Sequence, residues 1–248
     1  MPPDASPDTV DFDTFLGNAP KVPYDPTRFF RWRNYQDYGT GVPGDMFVHA
    51  FSSLHYIIDS VGPTRAMAAG GLRYWKDGRD VPDIAIGLYD YPKTQTHPAF
   101  NASLRVNFID GAGGGHGFRL VGTEGALEVG TDSVKLIRKK IGSGPGSYSM
   151  ISFPEITQEK IRDEYAKKEI ENRESLLKLG EIIFEAPEGY QGSHYDHTHN
   201  FIQAIRGNYK VIQDPSFGLR AAGAALLANE SYFQKKMLNW DPQTMKLV

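Results

Sequence analysis

The sequence predicts an α+β protein built on an open, mostly antiparallel sheet with helices packed on one face. Three observations carry that prediction. From Thr64 to about Met150, short apolar runs alternate with polar residues, as in Leu104, Val106 and Phe108 against Arg105 and Asn107, which is the period-two signature of strands. The turns between these runs are short and glycine-rich or acidic, so sequence neighbours pair antiparallel instead of through crossovers. Apolar residues at helical spacing lie outside this block, which leaves helices to cover one sheet face.

Taken in order, residues 1–25 hold five prolines and little periodicity and read as an extended arm. Pro43 and Gly44 precede a helix from about Asp45 to Ser60, whose apolar set (Phe47, Phe51, Leu54, Ile58) recurs every three to four residues. Gly62 and Pro63 end it. Strands follow in TRAMAAGGLRYW, DIAIGLYDY, AFNASLRVNFID, HGFRLVG, ALEVG and SVKLIRK. Residues 157–179 form a highly charged helix supported by Glu and Lys at helical spacing. EIIFEAP (181–187) returns to strand. HYDHTHNFIQAIRG (194–207) and FGLRAAGAALLANESYFQKK (217–236) are two further helices, the second rich in Ala and Gly and suited to close packing. The tail MLNWDPQTMKLV is extended. No boundary is visible after the arm, so 26–248 reads as a single domain.

Composition narrows the functional classes. A net charge of −3 with short basic runs argues against a grip on nucleic acid or anionic lipid. No apolar run approaches eighteen residues, so no membrane span is predicted, and the N-terminus has no signal-peptide order. Cysteine is absent, which excludes disulfides, zinc–thiolate sites and cysteine nucleophiles but leaves cytoplasm and periplasm both open.

The chemistry-bearing residues cluster in RFFRWRNYQDYGTGVPGDMFVHAFSSLH, 28–55. Asp45 and His49 stand four apart, so on a helix the carboxylate can reach the imidazole, fix its tautomer and stabilise its charged form. A proton-handling site needs that arrangement. The plainer alternative makes Asp45 an N-terminal helix residue and His49 a packing residue. Just upstream, Arg31, Trp32, Arg33, Tyr35 and Tyr38 suit a polyhydroxylated ligand, with rings on sugar C–H faces and polar groups on hydroxyls. The glycine cluster GAGGGHGF (111–118) does not fit G-x-G-x-x-G and leads into a strand, so it reads as a flexible hairpin connection, not a phosphate loop. His194 and His197, with Asp196 and His199 nearby, could begin a metal site, but catalytic zinc wants a third protein ligand; no metal is expected, and a structural or substrate-contacting role is favoured.

Several stretches resemble the Gfo/Idh/MocA oxidoreductases: FLGNAP ending at Pro20, the 28–49 loop, GLRYWKDGRDVPD (71–83), LVGTEGALEV (120–129), DHTHNFIQAIRG (196–207), DPSFGLRAAGAALLANESYF and WDPQTMKLV. The resemblance runs in the family's order over almost the whole chain and matches only the family's C-terminal half. It implies a substrate and oligomerisation domain, with NAD or NADP held by an N-terminal Rossmann domain that this sequence lacks. No cofactor is expected on this chain alone. The family's D-x-x-x-H motif falls on Asp45 and His49, with His49 the implied acid/base at a sugar hydroxyl. Ser52 stands where many relatives carry a further Asp, and His197 falls where relatives have the histidine before Asn200 and Phe201.

Two functions follow as expectations. The first is the substrate half of an NAD(P)-dependent oxidoreductase acting on a sugar, glycoside or cyclitol hydroxyl, inactive without its Rossmann domain, with Arg31, Arg33, Tyr35, Tyr38 and His197 holding the substrate. The second is a cofactor-free module that binds carbohydrate or assembles homo-oligomers through its sheet face.

Overall fold

A computed structural model describes residues 1–115, 117–138, 148–173 and 182–248. The chain divides into two compact units, Met1–Gly114 with Thr198–Val248, and Gly115–His197. The sequence suggested one domain over 26–248; the division falls at the glycine run and again inside a helix.

The larger unit is built on a five-stranded antiparallel sheet of order β3-β2-β1-β8-β9. Its strands are β1 (Arg65–Gly71), β2 (Ile84–Tyr91), β3 (Phe100–Asn107), β8 (Leu238–Asp241) and β9 (Lys246–Leu247). Alternation decides the faces. Ala66, Ala85, Tyr89 and Leu238 are buried, while Met67, Ile86 and Leu88 are exposed. The exposed three are cross-strand neighbours, with Met67 opposite Leu88 and Ile86 opposite Ala69.

Two helices supply the buried side. In α3 (Val48–Ile58), Phe51 and Leu54 are buried, and the Phe51 ring meets Tyr89 edge-on at 4.7 Å. In α6 (Pro215–Gln234), Ala221, Ala224, Ala225 and Ala228 are fully buried, so small side chains bring the helix close to β1 and α3. Asp214 caps α6 through the Phe217 N–H at 2.8 Å, with Pro215 in the first turn. Buried Ser231 fastens α6 to the sheet: its Oγ accepts from the Ala68 N–H at 2.8 Å and donates to the Lys236 carbonyl at 2.7 Å.

The N-terminal stretch is not simply extended. Asp11 caps a short helix α1 (Phe12–Leu16) whose Phe12 and Leu16 are buried, because apolar residues four apart make one face even in a single turn. The tail also folds back on itself, as β8 and β9 pair.

The smaller unit is an antiparallel meander of order β4-β5-β6-β7, with β4 (Phe118–Val121), β5 (Gly125–Val129), β6 (Ser133–Arg138) and β7 (Ile182–Glu185). It also carries the charged helix α4 (Glu155–Arg173), and the predicted extension of that helix to 179 lies outside the described residues. The glycine run joins β3 of one sheet to β4 of another, so it is an inter-sheet connection and not the turn of a hairpin; His116 within it lies outside the described residues. Helix α5 (Ser193–Ile205) carries no buried residue. The antiparallel α+β class stands as predicted, with the strands partitioned into two sheets. No helix among the described residues is long and apolar enough to cross a membrane.

Candidate functional site

The loop between the N-terminal stretch and α3 is held rigidly enough to shape a cavity. Helix α2 (Pro26–Phe30) is capped by Asp25, whose Oδ1 accepts from Thr27 N–H at 2.8 Å and from Arg28 N–H at 3.3 Å. Arg28 then ties the loop together. Its guanidinium lies 4.6 Å over the Tyr35 ring and donates to the Tyr38 hydroxyl and to Asp37, each at 3.2 Å. From the other side, Phe15 of α1 packs against Phe29 and Tyr38 at 5.0 Å. The Gln36 N–H donates to Asp80 Oδ1 at 2.8 Å, stitching the loop to the 77–83 turn.

Further along, Gly41 has φ +66, a left-handed backbone that favours glycine, and the Thr40 carbonyl accepts from the Asn229 side chain of α6. At Gly44 an added Cβ would collide with the Thr40 side chain. The chain enters α3 through a π-helical turn, Pro43–Phe47.

These supports enclose a cavity of about 400 Å³ lined by Arg31, Trp32, Arg33, Tyr38, Asp45 and Arg79, with Val81, Pro82 and Phe108 among its apolar residues. That volume is within the usual range for small-molecule sites. Arg33 lies 4.0 Å over the Trp32 ring, and its Nε donates to Asp45 Oδ1 at 3.4 Å. Arg79 lies 4.2 Å over Trp75 and holds Asp77 with two hydrogen bonds of 2.8 and 2.6 Å. The hydrogen bond from Arg79 draws the Asp77 carboxyl down to about 2.

Below the cavity, Asp83 is buried and accepts the backbone N–H groups of Arg73, Tyr74 and Trp75. Burial raises its carboxyl, but those backbone hydrogen bonds leave it below its ordinary value. A charged acid is thus kept as the anchor of the turn that presents Arg79.

Of the residues expected to bind ligand, Arg31, Arg33 and Tyr38 line the cavity together with Asp45. Tyr35 does not; it is buried behind the loop as a platform for Arg28. His49 is exposed on the first turn of α3 and is not a lining residue. The Asp45 carboxylate turns to Arg33, and no hydrogen bond or ion pair joins it to His49 among the described residues. The four-residue spacing assumed a regular α-helix, whereas the widened π turn alters the angular step at that junction. His197 is exposed on α5, within the smaller unit. No group of His, Asp or Glu able to hold a metal ion occurs among the described residues.

The sequence reading missed Arg79, Thr40 and Asn229. Arg79 sits in a polar turn, where Asp77-x-Arg79 was the only signal. It also missed a buried histidine pair. The His55 Nε2 and the Tyr91 hydroxyl share a hydrogen bond of 2.9 Å. His97 donates from Nδ1 to the Pro98 carbonyl at 2.9 Å, and its Nε2 shares a hydrogen bond of 3.1 Å with the Ser60 hydroxyl. Burial, reinforced by His97 and Arg220, pushes His55 down to about 4. The packing histidine of this helix is therefore His55.

An antiparallel α+β domain presenting a ligand-sized, polar–aromatic hollow is the class of protein that the fold and site define. Residues 9–239 match the oxidoreductase family's C-terminal alpha/beta domain. The chain belongs to the Gfo/Idh/MocA oxidoreductase family and corresponds to its C-terminal domain. Among curated proteins no relative matches it.

Among solved structures, one assigned as an oxidoreductase from Thermotoga maritima superposes with a TM-score of 0.54 at 17% identity, covering 88% of this chain and 51% of that one. An oxidoreductase from Agrobacterium radiobacter, solved with NAD+, L-tartaric acid and magnesium, gives 0.52 at 11% identity over 90% of this chain and 55% of its own. The UDP-N-acetylglucosamine 3-dehydrogenase of Acidithiobacillus ferrooxidans gives 0.50 at 13% identity over 85% and 52%. At these identities the likeness establishes the fold, and the chain spans about half the length of these structures.

The glycine run of this chain leads into strand β4 and not into a helix N-terminus, unlike a phosphate-binding loop.

Proposed function

We propose that this chain is the substrate half of an NAD(P)-dependent oxidoreductase that acts on a sugar, glycoside or cyclitol hydroxyl, with the nicotinamide held on a nucleotide-binding domain outside this sequence. The observation that carries the proposal is the cavity wall, where the Trp32 ring, the Arg33–Asp45 pair and the Tyr38 hydroxyl stand together. An aromatic face packs against sugar C–H groups, while Asp45 accepts from, and Arg33 and Tyr38 donate to, the hydroxyls around the ring. Oxidation of a hydroxyl needs a base for its proton, and His49 is proposed for that role. It is solvent-accessible and lies in the first turn of the helix that directly follows the turn carrying Asp45. Asp45, engaged with Arg33, orients substrate in this scheme and does not brace the imidazole.

Saturation-transfer NMR with hexoses and inositols tests the proposal. Enhanced sugar C–H signals that vanish in Trp32→Ala are expected, together with no thermal shift from NAD or NADP alone. Tight nicotinamide binding by this chain, or no contact with any sugar, would overturn it.

A second reading, assembly of homo-oligomers through the sheet, is favoured by the exposed apolar patch of Met67, Ile86 and Leu88 on one face of β1 and β2. Leu88→Asp is expected to lower the mass measured by light scattering to that of a monomer. An unchanged mass would remove the face from assembly.

A further inference from the structure

We infer that the cavity takes a sugar carrying a single carboxylate, a uronic or aldonic acid, with Arg31 as the residue that reads the charge. The inference rests on the proposed sugar site and adds the substrate's charge class to it.

The charges on the cavity wall carry it. Three arginines line the hollow, Arg31, Arg33 and Arg79, against one acidic lining residue, Asp45. Two of the three are already answered by the chain itself. Arg33 is paired with Asp45 at 3.4 Å. Arg79 is paired with Asp77 in a two-point grip, and its side chain is only 11% exposed. The Arg31 side chain, unlike its backbone, has no hydrogen bond, ion pair or ring partner among the described residues. The wall therefore holds one uncompensated positive charge beside an aromatic surface.

A neutral sugar would leave that guanidinium to water. A ligand with one planar anionic group can take two parallel N–H···O bonds from it, the geometry that distinguishes Arg from a point charge. One unmatched cation also suits a carboxylate better than a phosphate monoester, whose second charge would face Asp45.

The test titrates the full chain with glucuronate, glucose and glucose 6-phosphate by calorimetry, at low and high salt. Glucuronate is expected to bind about tenfold more tightly than glucose, the low end for hydrogen bonds to a charged group because Arg31 is exposed. That margin should shrink with salt. Arg31→Gln should close the gap between glucuronate and glucose, and Arg31→Lys should keep only part of the preference. The Arg31 side chain is exposed, so both variants are expected to fold.

Equal binding of glucose and glucuronate, or a preference that survives in Arg31→Gln, overturns the inference and leaves the sugar site standing. Tighter binding of glucose 6-phosphate than of glucuronate overturns the carboxylate assignment in favour of phosphate. Failure of all three to bind overturns the sugar site, and the inference falls with it.

Discussion

Two histidines six residues apart on α3 have opposite surroundings. His49 is open to solvent on the first turn, just beyond the cavity-lining Asp45. His55 is 1% exposed, bonded to Tyr91 and packed against Phe51. Six helical residues advance the azimuth by about 240°, so the two rings leave the helix on different sides. The side facing the sheet desolvates its imidazole and favours the neutral form. The other leaves its ring free to meet a ligand. Identical chemistry at two positions thus separates into a packing group and a candidate proton carrier, and burial makes the separation.

The comparison breaks first at His49. In the complete enzyme, with its nucleotide-binding domain, His49→Ala is expected to cut turnover by about 10² to 10⁴, the usual share of acid–base catalysis, with cofactor affinity unchanged. Steady-state kinetics at saturating cofactor checks it, and unaltered turnover would return His49 to the surface.

The next effect belongs to His55. Unfolding restores its ring to the ordinary value of 6.5 from about 4 in the fold. Between those values the unfolded chain binds more protons than the folded one, so stability falls as pH drops through that window. The ring's share of the loss is roughly 3 kcal/mol by pH 4. Urea denaturation at neutral and acid pH should reveal it, and His55→Gln should flatten the acid limb. An acid limb unchanged by the substitution would show that other groups set it.

The smallest expected effect sharpens the role given to Asp45. A double-mutant cycle on Arg33 and Asp45, both well exposed, should give a coupling to stability below about 1 kcal/mol, while each single variant weakens sugar binding. A coupling of several kcal/mol would make the pair a structural strut.

The contrast also shows what was legible beforehand. The strands were readable because period-two alternation in segments such as Leu104–Phe108 is a local signal, and the Ala-rich helix announced its close packing by composition. Arg31, Arg33, Tyr38 and Asp45 meet at one cavity because they share one stretch of sequence. Tyr35, from the same stretch, lies away from that cavity because Arg28 covers its ring, which nothing local announces. The Asp45–His49 contact was expected from regular helical arithmetic, which the π turn does not obey. Arg79 and Asn229 reach the loop from distant segments, 44 positions away in the case of the Asp80 contact beside Arg79 and 189 for Asn229, and only tertiary folding reveals such neighbours. The division into two units was invisible for a similar reason: the glycine run reads alike whether it turns a hairpin or links two sheets.

The π turn at Pro43–Phe47 has an engineering corollary. Removing one residue from it would restore ordinary winding and swivel the upstream segment by about 100° relative to α3. Thr40 would then leave its clasp on Asn229, and deleting Gly44 or Met46, neither of which lines the cavity, would dismantle the binding loop. That turn works as a spacer whose length is as constrained as any functional group it positions.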